Sequence, residues 1–150
     1  MRARLRFEAG AVTLTVKRSG VEVDGVTTRV ELEAPATRSL APARWPVSQA
    51  RDTLLETIGR ERLQVIARLR QRRLARVVRR GGTRVELSLD ALAAVAGRRV
   101  VARRHELEAE LIQGAERDLG ALADALRAWE GIGPPLGSKL VFALEGGLAG

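Results

Sequence analysis

Between residues 2 and 112, one stretch after another alternates a charged or polar residue with an apolar one. RARLRFE at 2–8, VTLTVKR at 12–18 and VTTRVELEA at 26–34 do so first. RLQVIARLRQR at 62–72, LARVVR at 74–79, TRVELSLD at 83–90 and the run 98–112 follow the same rule. Period two belongs to extended backbone, whose side chains point alternately to the two faces of a sheet. A chain written this way is not a helical bundle. It predicts antiparallel strands, each with one apolar and one polar face.

The intervening segments supply turns and helices. "AG" at 9–10 and "RGG" at 80–82 suit tight reversals. Residues 35–46 carry three prolines and read as a loop. In VSQARDTLLETIG, residues Val47, Ala50, Leu54, Leu55 and Ile58 share a helical face; Ser48 can cap that helix and Gly59 can end it. Residues 115–130 form a second amphipathic helix, with Leu119, Leu122, Ala123, Leu126 and Trp129 on one side. The Ala-rich 91–97 fits a short helix or a loose loop, and SKLVFAL closes the chain as a short helix or turn. The sum is a single α+β domain over residues 1–150.

Parity then sorts the charges. Arg4, Arg6 and Glu8 share a face, as do Thr13, Thr15 and Lys17, and Arg29, Glu31 and Glu33. So do Arg68, Arg70 and Arg72; Arg84, Glu86, Ser88 and Asp90; and Arg104, Glu106, Glu108 and Glu110. One reading is a half-buried sheet whose charged face is solvated. The other is a sheet curled so that its charged face turns inward, with helices padding the apolar outside. Same-face neighbours along a strand lie roughly 7 Å apart. Three carboxylates at that spacing are comfortable when arginines or a divalent ion stand opposite.

Composition narrows the partners. The formal net charge is +8, and 24 of the 26 cationic residues are arginine, leaving only Lys17 and Lys139. Arginine's planar fork suits phosphate oxygens, so the partner expected is a polyanion. The chain has no cysteine, which excludes disulfides and thiolate metal sites. No apolar run reaches membrane-span length and no secretory signal is read, so the expected location is the cytoplasm. The acid rows would repel a nucleic-acid backbone, and with two Trp, two Phe and no Tyr there is little for base stacking. A basic nucleic-acid-binding domain therefore ranks last. His105 falls on the apolar parity and reads as a packed or capping residue; Trp45 and Trp129 read as packing anchors.

The ordered set of motifs resembles the CYTH domain, the superfamily of triphosphate tunnel metalloenzymes. Arg4-Leu5-Arg6 resembles the family's Leu-Arg-x-Arg strand, and Leu14-Thr15-Val16-Lys17 its Leu-Thr-x-Lys strand. Arg29 through Glu33 resembles its Arg-x-Glu-x-Glu strand, and Arg68 with Arg70 a basic pair. Asp90 resembles an acid that ends a strand, Glu106, Glu108 and Glu110 the Glu-Leu-Glu-x-Glu strand, and Ser138-Lys139 the terminal Ser-Lys. The resemblance covers about residues 3–145.

It implies an antiparallel β-barrel or tunnel with a charged interior and flanking helices. It implies an inorganic triphosphatase or a degenerate relative, acting on triphosphate, polyphosphate or a nucleoside triphosphate with Mg²⁺ or Mn²⁺. A non-catalytic module binding the same ligands is the alternative. Arg4, Arg6, Lys17, Arg29, Arg68, Arg70 and Lys139 would bind phosphate; Glu106, Glu108, Glu110, Glu31, Glu33 and Asp90 would serve the metal. The family's first strand, Glu-x-Glu-x-Lys, has no counterpart ahead of Arg4. The expectation is thus a start set too late or a shortened member with an incomplete tunnel. Its unpaired strand edge would invite a homodimer.

Overall fold

The structure is a computed structural model that describes residues 1–17, 21–23, 26–28, 30–134 and 137–148. The described residues form an α+β arrangement of two three-stranded antiparallel sheets, a two-stranded pair and three helices. They fall into two compact units: Met1–Val23 with Thr27–Gln64, and Val65–Gly150 with Asp24–Val26. Among the described residues no helix is long and apolar enough to cross a membrane.

In the first unit, β1 (Arg2–Glu8), β2 (Ala11–Lys17) and β5 (Glu31–Pro35) pair in the order β1-β2-β5. Ala9 and Gly10 make the reversal with φ of 47° and 84°, the left-handed backbone that a two-residue hairpin turn demands. The expected run 26–34 is divided: β4 (Val26–Thr28) pairs with β3 (Val21–Val23), and β5 begins separately at Glu31. Across the sheet, Leu5, Leu14 and Ala34 stand in one row. α1 (Gln49–Ile58) buries Ala50 and Leu54 against this apolar side, beside Val16 and Trp45. Ser48 Oγ accepts from the Arg51 amide at 3.2 Å, and Gly59 closes the helix at φ 63°. Trp45 is an anchor as expected, buried with its Nε1 donating to the Ser39 carbonyl at 2.8 Å.

The second unit is a meander of long strands: β6 (Leu69–Arg80), β7 (Thr83–Ala96) and β8 (Arg99–Gln113), in that order. Of the run expected at 62–72 only the end is strand: residues 62–68 lie outside it, and from Leu69 the chain continues through the run expected at 74–79 as one strand, β6. The Arg72-Arg73 pair interrupts the alternation of charge without interrupting the backbone. The Ala-rich stretch is strand, not helix; small apolar residues on both faces hide period two from the sequence.

Two helices follow, α2 (Glu116–Arg127) and α3 (Lys139–Leu148). Trp129 lies beyond the end of α2 and is 65% exposed, so among the described residues it is not the packing anchor expected. α3 packs so closely on β7 and β8 that a Cβ at Gly146 would lie 2.9 Å from the Ala94 Cβ and 3.3 Å from that of Ala102. In register, Ala94 and Ala102 share the face of Asp90. Helix α1 covers the apolar face of its sheet, as expected, whereas α3 lies on the face that bears the acids.

Between β8 and α2, Gly114 adopts φ 112°, and a Cβ there would fall 2.7 Å from Thr83 Cα. Thr83 Oγ1 also donates to Asp118, tying the start of β7 to α2. Gly114→Ala is expected to lower stability by about 2 kcal/mol in urea unfolding followed by circular dichroism, through backbone strain and this contact.

Candidate functional site

The site is built by two turns and one bulge. Gly81 and Gly82 form a two-residue connection, so β6 and β7 pair from Arg80 with Thr83 without slack. Counting equally along both strands brings Arg73 opposite Asp90. On the other side, β7 and β8 pair from Ala96 with Arg99, but the register shifts between Val95 and Ala94, leaving Val101 as an extra residue. Without that shift Asp90 would stand opposite His105, and the glutamates would face the other side of the sheet. With it, Asp90 faces Glu106, Ser88 faces Glu108 and Glu86 faces Glu110.

Asp90 is the centre of the arrangement, with 0% of its surface exposed. Arg73 grips it with two hydrogen bonds, Nε to Oδ1 at 2.8 Å and Nη2 to Oδ2 at 2.7 Å. The same guanidinium donates to Glu108 Oε2 at 2.6 Å and lies 4.0 Å from Glu86. Lys139 Nζ reaches Asp90 Oδ2 at 2.6 Å, Glu108 Oε1 at 2.9 Å and Glu106 Oε2 at 3.5 Å. Carboxylate oxygens of Asp90, Glu106 and Glu108 all lie within 4.8 Å of one another.

Burial pushes the Asp90 carboxyl up. Hydrogen bonds from Arg73 and Lys139 outweigh it and hold the group well below the usual carboxylate range. The Arg73 guanidinium is raised in turn, chiefly by its hydrogen bond to Asp90.

Local structure places the cations. Ser138 Oγ accepts from the Val141 amide at 3.3 Å and so caps α3, fixing Lys139 in the first helical turn. A lysine is disfavoured there by the helix dipole; three carboxylates offset that. Arg104 pairs with Glu106, donates to the Gly137 carbonyl at 3.0 Å and lies 4.5 Å from the centre of the Phe142 ring.

The residues expected to form one site are distributed as follows. Asp90, Glu106, Glu108 and Lys139 converge. Glu110 lies further along β8, opposite Glu86. Arg68 precedes β6, and Arg70 pairs with Ala93, on the sheet face opposite to Asp90. Arg4 and Arg6 stand on β1 opposite Thr15 and Thr13, and Arg6 lies 3.5 Å from Glu33. Lys17 meets Glu31 at 2.5 Å, and Thr15 donates to Glu33 at 2.7 Å. Arg29 lies outside the described residues. His105 is exposed and pairs with Ala91, so it is neither packed nor part of the cluster.

Arg73 is the residue that sequence reasoning missed. The two-glycine turn carried the signal, because it fixes which residue can oppose Asp90. Compared with known protein families, curated proteins and solved structures, the chain matches none.

Proposed function

We propose that the chain is a CYTH-like domain that binds inorganic triphosphate, polyphosphate or a nucleoside triphosphate together with a divalent metal ion. In this reading the strands belong to an incomplete antiparallel tunnel whose interior is charged. The observation that supports it best is the convergence of Asp90, Glu106 and Glu108 beside the cations Arg73 and Lys139. Three carboxylates offer the hard oxygen donors that Mg²⁺ and Mn²⁺ prefer. They would hold the ion, which supplies charge neutralisation at phosphate oxygens. Arg73 would add a planar fork to those oxygens, and Lys139, on its flexible stem, a movable point charge. Phosphoryl transfer to water asks a protein mainly for such positioning and neutralisation.

A second reading, a module that binds phosphate compounds without turning them over, is favoured by one specific feature. The Lys139 ammonium already sits among the three carboxylates, at 2.6, 2.9 and 3.5 Å. With Arg73 and Arg104 it balances them electrically with no metal needed.

Phosphate release from inorganic triphosphate with Mg²⁺ or Mn²⁺ separates the two. A hydrolase loses about 100-fold or more of its activity on Glu106→Gln, with circular dichroism unchanged. Triphosphate binding by calorimetry without release selects the module. Absence of both binding and release removes both readings.

A further inference from the structure

The second sheet has another face, and it carries no acid at all. Its residues stand in five cross-strand rows, from Arg70, Ala93 and Arg103 at one end to Val78, Val85 and Leu111 at the other. The middle row is leucine on all three strands: Leu74 opposite Leu89, and Leu89 opposite Leu107. These leucines are 62%, 45% and 40% exposed. Arg72 and His105 flank the row on one side, and Arg76 on the other. All the acids of these strands, Glu86, Asp90, Glu106, Glu108 and Glu110, face the opposite way.

A contiguous apolar row that crosses a whole sheet and stays open to solvent is unusual for a surface with no partner. We infer that this face docks an amphipathic helix of another protein, with an apolar stripe over Leu74, Leu89 and Leu107 and acidic residues flanking it toward β6.

Charge decides among the occupants. A second copy laid face to face would bring arginines against arginines with no acid to pair them. A nucleic acid would match the arginines but would leave three leucines against phosphate. A bilayer would have to take in guanidinium groups at the level of the leucines, and the face carries none of the aromatic side chains that settle at membrane interfaces. An acidic-flanked helix satisfies both components. Three strands span roughly 10 Å, the diameter of one helix. Laid along the strands, that helix would set its apolar stripe over Ala91, Leu89 and Leu87 and across the leucine row, and glutamates on its β6 flank would meet Arg72 and Arg76.

The test uses the full chain and two fluorescein-labelled peptides of about 20 residues with identical composition. One has leucines at helical spacing with flanking glutamates; in the other the order is scrambled. Fluorescence anisotropy is expected to show micromolar binding of the first alone. Leu89→Asp and, independently, Leu74→Asp should weaken it at least tenfold, and Arg72→Glu combined with Arg76→Glu should do the same, each variant keeping the wild-type circular dichroism. Equal affinity for both peptides, or affinity unchanged in the leucine variants, overturns the inference. So does Leu89-dependent dimerisation in sedimentation, or stronger Leu89-dependent binding to phosphatidylglycerol vesicles or to RNA than to the peptide. The metal and phosphate assays of the opposite face should be unaffected by Leu74→Asp.

Discussion

Asp90→Ala is expected to destabilise the second unit by about 3 kcal/mol in urea unfolding. Asp90 is fully buried, and two cations are aimed at it. Removing one member of a buried charge network leaves the others uncompensated, at a typical cost of about 3–5 kcal/mol. Here the lower end applies, because Lys139 keeps Glu108 and Glu106, and Arg73 keeps Glu108 and is about one-third exposed. Asp90→Asn keeps the shape and one acceptor oxygen, so it should cost less than the alanine. The ordering wild type, Asn, Ala is the readout, and equal stability of all three contradicts the network.

The same residue sets a dependence on acid. Its carboxyl is held below its ordinary range in the folded chain, so folding favours the ionised form. That contribution is complete above about pH 4, where an unfolded aspartate is already charged. It is lost as pH falls from there toward the lowered folded value. The stability gap between wild type and Asp90→Asn should therefore be constant near neutrality and narrow progressively under acid. Comparing the two chains at each pH cancels the other carboxylates. A gap that widens below pH 4 would reverse the sign and refute the assignment.

Much of this was legible in the residues. Alternation located β1, β2, β5, β7 and β8. Ser48 and Gly59 bounded α1, and parity put Glu106 and Glu108 on the face of Asp90. What parity cannot do is choose a face across a turn. Arg70 and Arg72 share a face with each other, yet the Gly81-Gly82 turn sets that face opposite to Asp90 and brings Arg73 round instead. The bulge at Val101 left no mark either, because Val100, Val101 and Ala102 are all apolar and any of them could be the extra residue. Ala91 to Ala96 hid for a related reason: alanine fits both faces, so the strand shows no contrast. The uncovered leucine row is invisible to the sequence because apolar parity marks a face as apolar without saying whether a helix covers it. Where a helix lands depends on long-range packing, here the fit of Gly146 against Ala94.

Lys139→Met should turn the acidic cluster into a metal-dependent element of the fold. The methionine keeps the apolar stem and loses the ammonium that lies among Asp90, Glu106 and Glu108. In chelator the variant is expected to be less stable than wild type by about 2 kcal/mol, since among the described residues three carboxylates within 4.8 Å then share Arg73 and Arg104 alone. A divalent ion removes that repulsion more effectively than a single ammonium does. Mn²⁺ or Mg²⁺ at millimolar concentration should restore the loss, and the metal affinity should exceed that of wild type by about 10-fold or more, because the ion no longer displaces a tethered cation. Thermal unfolding with and without metal reads both effects. If Lys139→Met is destabilised but metal changes nothing, the carboxylates serve only as an internal ion-pair network, and the non-catalytic reading stands without its metal. If wild type alone responds to metal, Lys139 assists the ion instead of competing with it, and the charge balance drawn for this cluster is wrong.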